Sequence, residues 1–218
     1  MAMQQRAMRT RRLILDSAAQ LIERNGYTAT SIGVISTAAG TTKGAVHFHF
    51  PTKRDIAVAL LDEAHASLRG IVDRACEAGD SPLQSLIDTT HLLVHQYNGD
   101  PVTRACVRLC AESPSPTPQT RAYQLTWASS IRLLLKSASA QEEFREGVST
   151  RAVATLVMSA GVGAELLAGR MEKTLSPQMT TAMWQAVLPG LAAPGCASTL
   201  RPEGSPGLQA GPPPPRRA

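Results

Sequence analysis

Aromatic residues are scarce in this 218-residue sequence: two Trp, three Tyr and three Phe amount to 4 % of it. A core must therefore be assembled mainly from Leu, Val, Ile and Ala, which the 43 % hydrophobic content supplies. The four cysteines, Cys76, Cys106, Cys110 and Cys196, contain no CxxC pair, and no histidine stands at ligand spacing beside Cys106 and Cys110. No metal site is expected from them, and they read as buried thiols in a reducing compartment. No apolar run reaches the roughly 20 residues that cross a bilayer, and MAMQQRAMRTRR has no signal-peptide character. The expected location is the cytoplasm, with no membrane partner.

Catalytic signatures are also missing. There is no GxSxG, no pair of carboxylates placed for acid–base work, and the HLLVH at 91–95 lacks the glutamate of HExxH. The G-V-G of 161–163 follows no strand and completes no GxGxxG. No enzyme, no catalytic residue and no cofactor are expected.

What remains is helical throughout. No strand-like alternation persists, and helices are expected near 7–25, 31–38, 42–48, 52–78, 82–98, 101–111, 119–140, 150–168 and 177–190. Pro51, Pro82, Pro101 and Pro177 lie at or just before helix starts, where a missing N–H does no harm. Ser113–Pro118, with three prolines in six residues, must be a loop. From Pro194 the chain is rich in proline and glycine and poor in large apolar residues, so 194–218 is expected to be a disordered tail. The fold class is all-α, with three expected regions. Residues 1–51 form a small three-helix domain, 52–193 a larger helical one, and 194–218 the tail.

The most informative stretch is TSIGVISTAAGTTKGAVHFHFPTK, residues 30–53. Thr30 or Ser31 can cap a first helix whose Ile32, Ile35 and Ala39 share one face; Gly40 supplies a turn, and Thr42 caps a second helix. In that second helix Ala45, Val46 and Phe48 to Phe50 are expected to pack, leaving Thr41, Thr42, Lys43, Gly44 and His47 at its start or outward face. That is the division a helix-turn-helix needs, small and polar residues entering the major groove ahead of a packed back face. Gly44 costs about 1 kcal/mol relative to alanine inside a helix, which suggests close approach by another molecule. Charge agrees. Residues 1–54 carry eight cations against two anions, a net +6, whereas the whole chain carries +5. Basicity concentrated there suits phosphate neutralisation.

The run RTRRLILDSAAQLIERNGYTATSIGVISTAAGTTKGAVHFHFPTKRDI resembles the DNA-binding domain of the TetR family of transcriptional regulators over Arg9 to Ile56. Its marks are Gly26-Tyr27, the cap at Thr30-Ser31, the Ala39-Gly40 turn, Lys43-Gly44 and Lys53. The family's phosphate-contacting tyrosine is replaced here by His47, whose reach is shorter and whose charge depends on pH. With this resemblance Arg9, Thr30, Ser31, Thr41, Thr42, Lys43, Gly44, His47 and Lys53 become the expected DNA-binding residues. Further along, DPVTRACVRLCAES from Asp100, Trp127 and AMWQAVLPGL resemble the γ-butyrolactone receptor branch of that family. The likeness implies a homodimeric repressor of a pseudo-palindromic operator, released by a small lactone or butenolide and controlling antibiotic biosynthesis, with 1–51 as its helix-turn-helix DNA-binding domain and 52–193 as its ligand-binding and dimerisation domain. It implies that Trp127 lines the ligand pocket, and that the apolar, small-sided run from Ala152 through Leu167 pairs with its copy. Periodicity alone adds His65, His91 and His95 as ligand-binding candidates, polar groups that could orient a carbonyl-bearing molecule. Two other readings fit the residues: a pseudo-receptor sensing an antibiotic or biosynthetic intermediate, and a small helical enzyme acting on an apolar substrate.

Overall fold

A computed structural model describes residues 2–112, 117–171 and 175–208. Among these, ten helices occur and the only strand-like pairing is one isolated bridge between Phe144 and Ala192. The all-α expectation holds, and the nine expected helices appear with ends shifted by a few residues at most, largest at the first. The helical sequence divides into two compact units.

One unit comprises Met1–Ser67 and Asp100–Gln124. It holds α1 (Ala2–Asn25), α2 (Ile32–Ala38), α3 (Lys43–His49), the first half of α4 (Lys53–Ala78), α6 (Pro101–Glu112) and the start of α7 (Pro118–Ala140). Its core is mainly aliphatic: Ile14, Ala18 and Ile22 of α1, at four-residue spacing, meet Ile35, Val46, Phe50, Ile56, Leu60, Val102 and Cys106. A polar clamp fastens α6 to the end of α1. Arg104 Nε donates to Glu23 Oε1 at 2.6 Å, Arg108 Nη1 donates to the Glu23 carbonyl at 3.0 Å, and Glu112 Oε2 accepts the Tyr27 N–H at 2.8 Å. Guanidinium groups thus occupy the carbonyl end of α1, where its unpaired acceptors and negative dipole favour cations. Gly26 ends that helix with φ +85°, and a Cβ there would stand 2.5 Å from Glu112 Oε1, so only glycine lets the carboxylate reach the turn.

The second unit comprises Leu68–Gly99 and Leu125–Pro214. It holds the rest of α4, α5 (Pro82–Gly99), most of α7, α8 (Thr150–Met171), α9 (Pro177–Leu191) and α10 (Pro194–Ala197). Leu83, Leu86 and Ile87 of α5 pack on Ile131, Leu134 and Leu135 of α7, Val153 and Val157 of α8 and Trp184 and Leu188 of α9. Trp184 is fully buried, and its indole N–H donates to Thr90 Oγ1 at 2.9 Å, which satisfies the one polar atom that burial would otherwise strand. The buried Glu143 carboxylate accepts the Leu83 N–H at 2.8 Å, capping the start of α5.

Residues 194–208 do not continue as disordered chain. They fold back over α5, where Gln84, Asp88 and His91 form a buried polar stripe. Asp88 accepts from the Ser205 N–H and hydroxyl at 2.7 Å each, Gln84 Oε1 accepts the Arg201 N–H at 2.7 Å, and His91 Nε2 meets the Pro202 carbonyl at 2.8 Å. Leu200 joins the main core of the unit and Leu208 packs beside Ile71, Ala75 and Leu92. Composition underestimates this segment because its order comes from side chains of α5 that satisfy its backbone. Residues 209–218 lie outside the described residues, as do 113–116 of the expected loop. The thiols also differ from expectation: Cys106 is buried, Cys110 and Cys196 are partly so, and Cys76 is exposed.

Candidate functional site

The helix-turn-helix is built by three caps. Ser31 Oγ accepts the Val34 N–H at 3.3 Å to start α2, and Thr42 Oγ1 accepts the Ala45 N–H at 3.1 Å to start α3. Between them the Gly40 N–H bonds the Thr37 carbonyl and the Thr41 N–H bonds the Ser36 carbonyl, with Gly40 at φ +61°. That paired pattern is a Schellman turn, which consumes the last carbonyls of α2 and redirects the chain into α3. Next, α4 is opened by Thr52 and Asp55, each accepting the other's backbone N–H.

Val46 and Phe50, one turn apart, are the buried residues of α3 and its cap, and the Arg11 guanidinium lies 5.0 Å above the Phe50 ring. Their burial fixes what faces outward. Phe48 sits about 200° around the helix from Val46, so it cannot pack with it and is 81 % exposed, its ring edge-on to His49. Sequence patterning assigned Phe48 to the packed side; helical geometry puts it on the open face with Gly44, and Thr42, Lys43 and His47 are exposed at the start and flank of the helix. A Cβ on Gly44 would meet nothing nearer than Thr42 Oγ1 at 3.8 Å, so no contact within the chain demands glycine there. The Lys43 stem crosses Gly33, where a Cβ would stand 3.0 Å from its Cε, beside an open depression lined by Ser31, Gly33, Val34, Thr37 and Ala38.

The remaining expected DNA contacts divide. Arg9 and Ser31 are exposed and Thr41 is partly buried. Ser31 and Thr42 use their oxygens as cap acceptors and keep an O–H to donate. Thr30 is 1 % exposed and donates to the Gly26 carbonyl at 2.8 Å, so it braces the α1–α2 turn and has no surface to offer a ligand. Lys53 is partly buried: its ammonium donates to the Tyr27 carbonyl at 3.0 Å and lies 4.2 Å above the Tyr27 ring, which ties α4 to that same turn. Burial pushes the Tyr27 phenol above its ordinary range, against the opposing charge of Arg54. Of the cations, Arg12 is paired with Asp16 and Glu63, while Arg6, Arg9, Lys43 and Arg54 are exposed. His47 is exposed, and its Nδ1 lies 3.0 Å from the Pro51 carbonyl oxygen.

The expected ligand-binding side chains do not converge. Trp127 is half-buried on α7 against the core of the second unit. His65 is half-buried on α4 in the other unit. His91 is 4 % exposed and held by Pro202, with its Nδ1 unpartnered among the described residues. His95 is exposed, so it does not line an interior site; one helical turn beyond His91, it has rotated to the rim of α5. Sequence reasoning missed Glu165 on α8, whose carboxyl is pushed up to about 7 by burial. The available signal was its isolation as the only acid in the apolar run 152–169. Leu156, Val162 and Leu166 of α8 and Met179 of α9 are exposed, while Val153 and Val157 face the core; Leu167 lies outside the side chains described. Among the described residues no three metal-ligating side chains cluster, and no helix is long and apolar enough to cross a membrane.

The family model for bacterial regulatory proteins, tetR family, matches residues 14–60. The A-factor receptor protein of Streptomyces griseus is 30 % identical over 213 residues, covering 94 % of this chain and 71 % of that protein. A solved γ-butyrolactone receptor, described as ArpA-like, is 28 % identical and superposes with a TM-score of 0.74 over 89 % of this chain and 93 % of its own. CprB of Streptomyces coelicolor, a TetR family protein solved with its biological operator sequence, is 30 % identical with a TM-score of 0.75, covering 89 % and 94 % of the two chains.

Proposed function

The chain belongs to the TetR family of bacterial regulatory proteins, and on that premise we propose that it is an operator-binding repressor released by a γ-butyrolactone or butenolide signal. The carrying observation is the outward face of α3. Gly44 and Phe48 lie on the side of the helix away from buried Val46, and Thr42, Lys43 and His47 are exposed at its start and flank, within the segment that holds the chain's excess of positive charge. Such a helix can enter a major groove, with Lys43 and His47 near phosphates or base edges, Phe48 against a thymine methyl or sugar, and Arg9, Ser31, Thr41 and Thr42 donating to the backbone.

Two heads are needed for a pseudo-palindromic operator. The exposed Leu156, Val162 and Leu166 of α8 with Met179 of α9 offer an apolar surface for pairing with a second copy. Helix α4 starts in the unit that carries α3 and ends in the other, so displacing its C-terminal half would act on Lys53 and, through it, on the Tyr27 turn. A lactone held against Trp127 would favour one position of that helix, and operator occupancy would fall by the ratio of ligand affinities in the two states. Control of antibiotic biosynthesis is the regulatory setting that the resemblance to the γ-butyrolactone receptor branch implies.

Fluorescence anisotropy with DNA from upstream of its own coding sequence tests this reading. Binding should weaken steeply with salt and be reversed by a γ-butyrolactone. Release by an antibiotic but by no lactone would make the chain a pseudo-receptor, and absence of salt-dependent DNA binding would overturn the reading.

A further inference from the structure

We propose that the polar face of α5 is a peptide-recognition groove whose ligand is the chain's own segment 198–208, and that the docked segment straps the second half of α4 in its operator-competent position. The strap rests on the operator-binding reading above; the groove stands on α5 alone. Gln84, Asp88 and His91 recur at i, i+4 and i+7 and are 2 %, 1 % and 4 % exposed. Three buried polar side chains on one helical stripe destabilise a core unless something pairs with them. Here they read backbone. The Gln84 amide uses both its ends on Arg201, Oε1 accepting the N–H at 2.7 Å and Nε2 donating to the carbonyl at 3.3 Å. His91 Nε2 meets the Pro202 carbonyl at 2.8 Å, and Asp88 accepts the Ser205 N–H and hydroxyl at 2.7 Å each. The groove thus takes an Arg-Pro-x-Gly-Ser turn. Gly204 has φ +88°, and a Cβ there would stand 3.3 Å from His91 Cδ2, so both the turn and the close approach call for glycine.

What the segment holds is α4. Leu208, at its far end, packs against the buried cluster of Ile71 and Ala75 of α4 and Leu92 of α5, with Leu93 beside it. That cluster is small, so one leucine is a large share of the apolar contact that fixes these α4 side chains. At the near end Leu200 joins the main core of the unit. The Arg201 guanidinium meets Asp80, in the turn after α4, at 3.5 Å; both side chains are well exposed, so this pair adds little. All of these groups belong to the second unit. Undocking the segment removes Leu208 from α4 and strands Gln84, Asp88 and His91, so docking and the placement of α4 are coupled. Residues 198–208 are held chiefly by hydrogen bonds and by a leucine near each end, which puts them among the elements that open before the core does. With the segment docked, α4 resists the displacement by which an inducer would release the operator. With it undocked, the operator-competent population falls.

The test uses intact chains. Gly204→Ala sets a methyl against His91 at a backbone angle that disfavours it, and Leu208→Ser removes the contact with α4. Gly195→Ala, in α10 with nothing within 4 Å of the added Cβ, is the control. Hydrogen exchange should show the Arg201 and Ser205 amides protected in wild type. Both variants should speed exchange at those amides and across 68–78 of α4 by roughly threefold or more, with α1 unchanged. Fluorescence anisotropy with DNA from upstream of the coding sequence, corrected for active fraction by stoichiometric titration, reads the operator. Its Kd should rise roughly threefold or more in both variants, with the wild-type salt slope, because the same phosphates are met. Gly195→Ala should match wild type in every measurement. Wild-type Arg201 and Ser205 amides that exchange as in free chain overturn the groove. Faster exchange at these amides with α4 and operator affinity unchanged overturns the strap, and so does weaker binding with a shallower salt slope, which marks damage to the head instead. Failure of wild type itself to bind DNA in a salt-dependent way removes the operator reading, and the exchange data then decide the groove by themselves.

Discussion

Replacing Asp88 by alanine should loosen the C-terminal segment, and the structure sets the scale of the loss. The carboxylate is 1 % exposed and accepts three hydrogen bonds, from Gln84 Nε2 at 2.9 Å and from the Ser205 N–H and hydroxyl at 2.7 Å each. Gln84 keeps a second acceptor, the Arg201 carbonyl at 3.3 Å, so the groups stranded by the change are the two of Ser205. At about 1–3 kcal/mol for each buried group left unsatisfied, the cost is about 3 kcal/mol. It is capped, because 198–208 can peel away once the penalty exceeds what their packing contributes. For a chain of this size that is a fall in Tm of about 6–12 °C. In a chain truncated after Ala197, Asp88 faces water and the same substitution should cost less than about 0.5 kcal/mol, leaving a coupling of about 2–3 kcal/mol between the two changes. Circular-dichroism thermal and urea unfolding of the four proteins measures it. Additivity of the two changes, or a cost below about 1 kcal/mol in the intact chain, would refute the idea that this carboxylate fastens the segment.

Glu165 gives a pH-dependent expectation. Its carboxyl is raised from 4.5 to about 7 by burial, so folding favours the neutral form; stability from this group falls as pH rises from 4.5 through about 7 and is unaffected below both values. Glu165→Gln should therefore raise stability by about 2 kcal/mol at about pH 8 and change nothing near pH 4, read by urea midpoints. Phe48→Ala should leave thermal stability within about 0.5 kcal/mol, because the ring is already in solvent, yet weaken operator binding; a large fall in Tm would mean the ring packs after all. Trp127→Ala should blunt release by a lactone while operator affinity stays near wild type. Normal release in a mobility-shift assay would remove Trp127 from the pocket.

Much of the head was legible in the residues because its determinants are local. Ser31, Gly40 and Thr42 act within three or four residues of themselves, and the caps and turn they predict are those observed. The all-α class and the helix order followed from apolar spacing and proline placement for the same reason. Phe48 shows where local pattern fails: apolar character suggested packing, while the burial of Val46 and Phe50 two residues to either side rotates it outward. Lys53 and Thr30 were legible as features of the motif, but their partners, the Tyr27 carbonyl and ring and the Gly26 carbonyl, were not.

The sequence by itself determined that this chain is helical, that a basic helix-turn-helix opens it, and which side chains cap that motif. Each of these depends on neighbours within one or two helical turns. Tertiary structure alone decided that α6 clamps the end of α1 through Arg104, Arg108 and Glu112, that 198–208 are ordered, and that the His47 ring meets the Pro51 carbonyl. Those outcomes depend on which donor meets which acceptor. The first two join residues some 80 to 120 positions apart; the His47 contact spans only four residues but depends on how the chain turns after α3, and no periodicity records that.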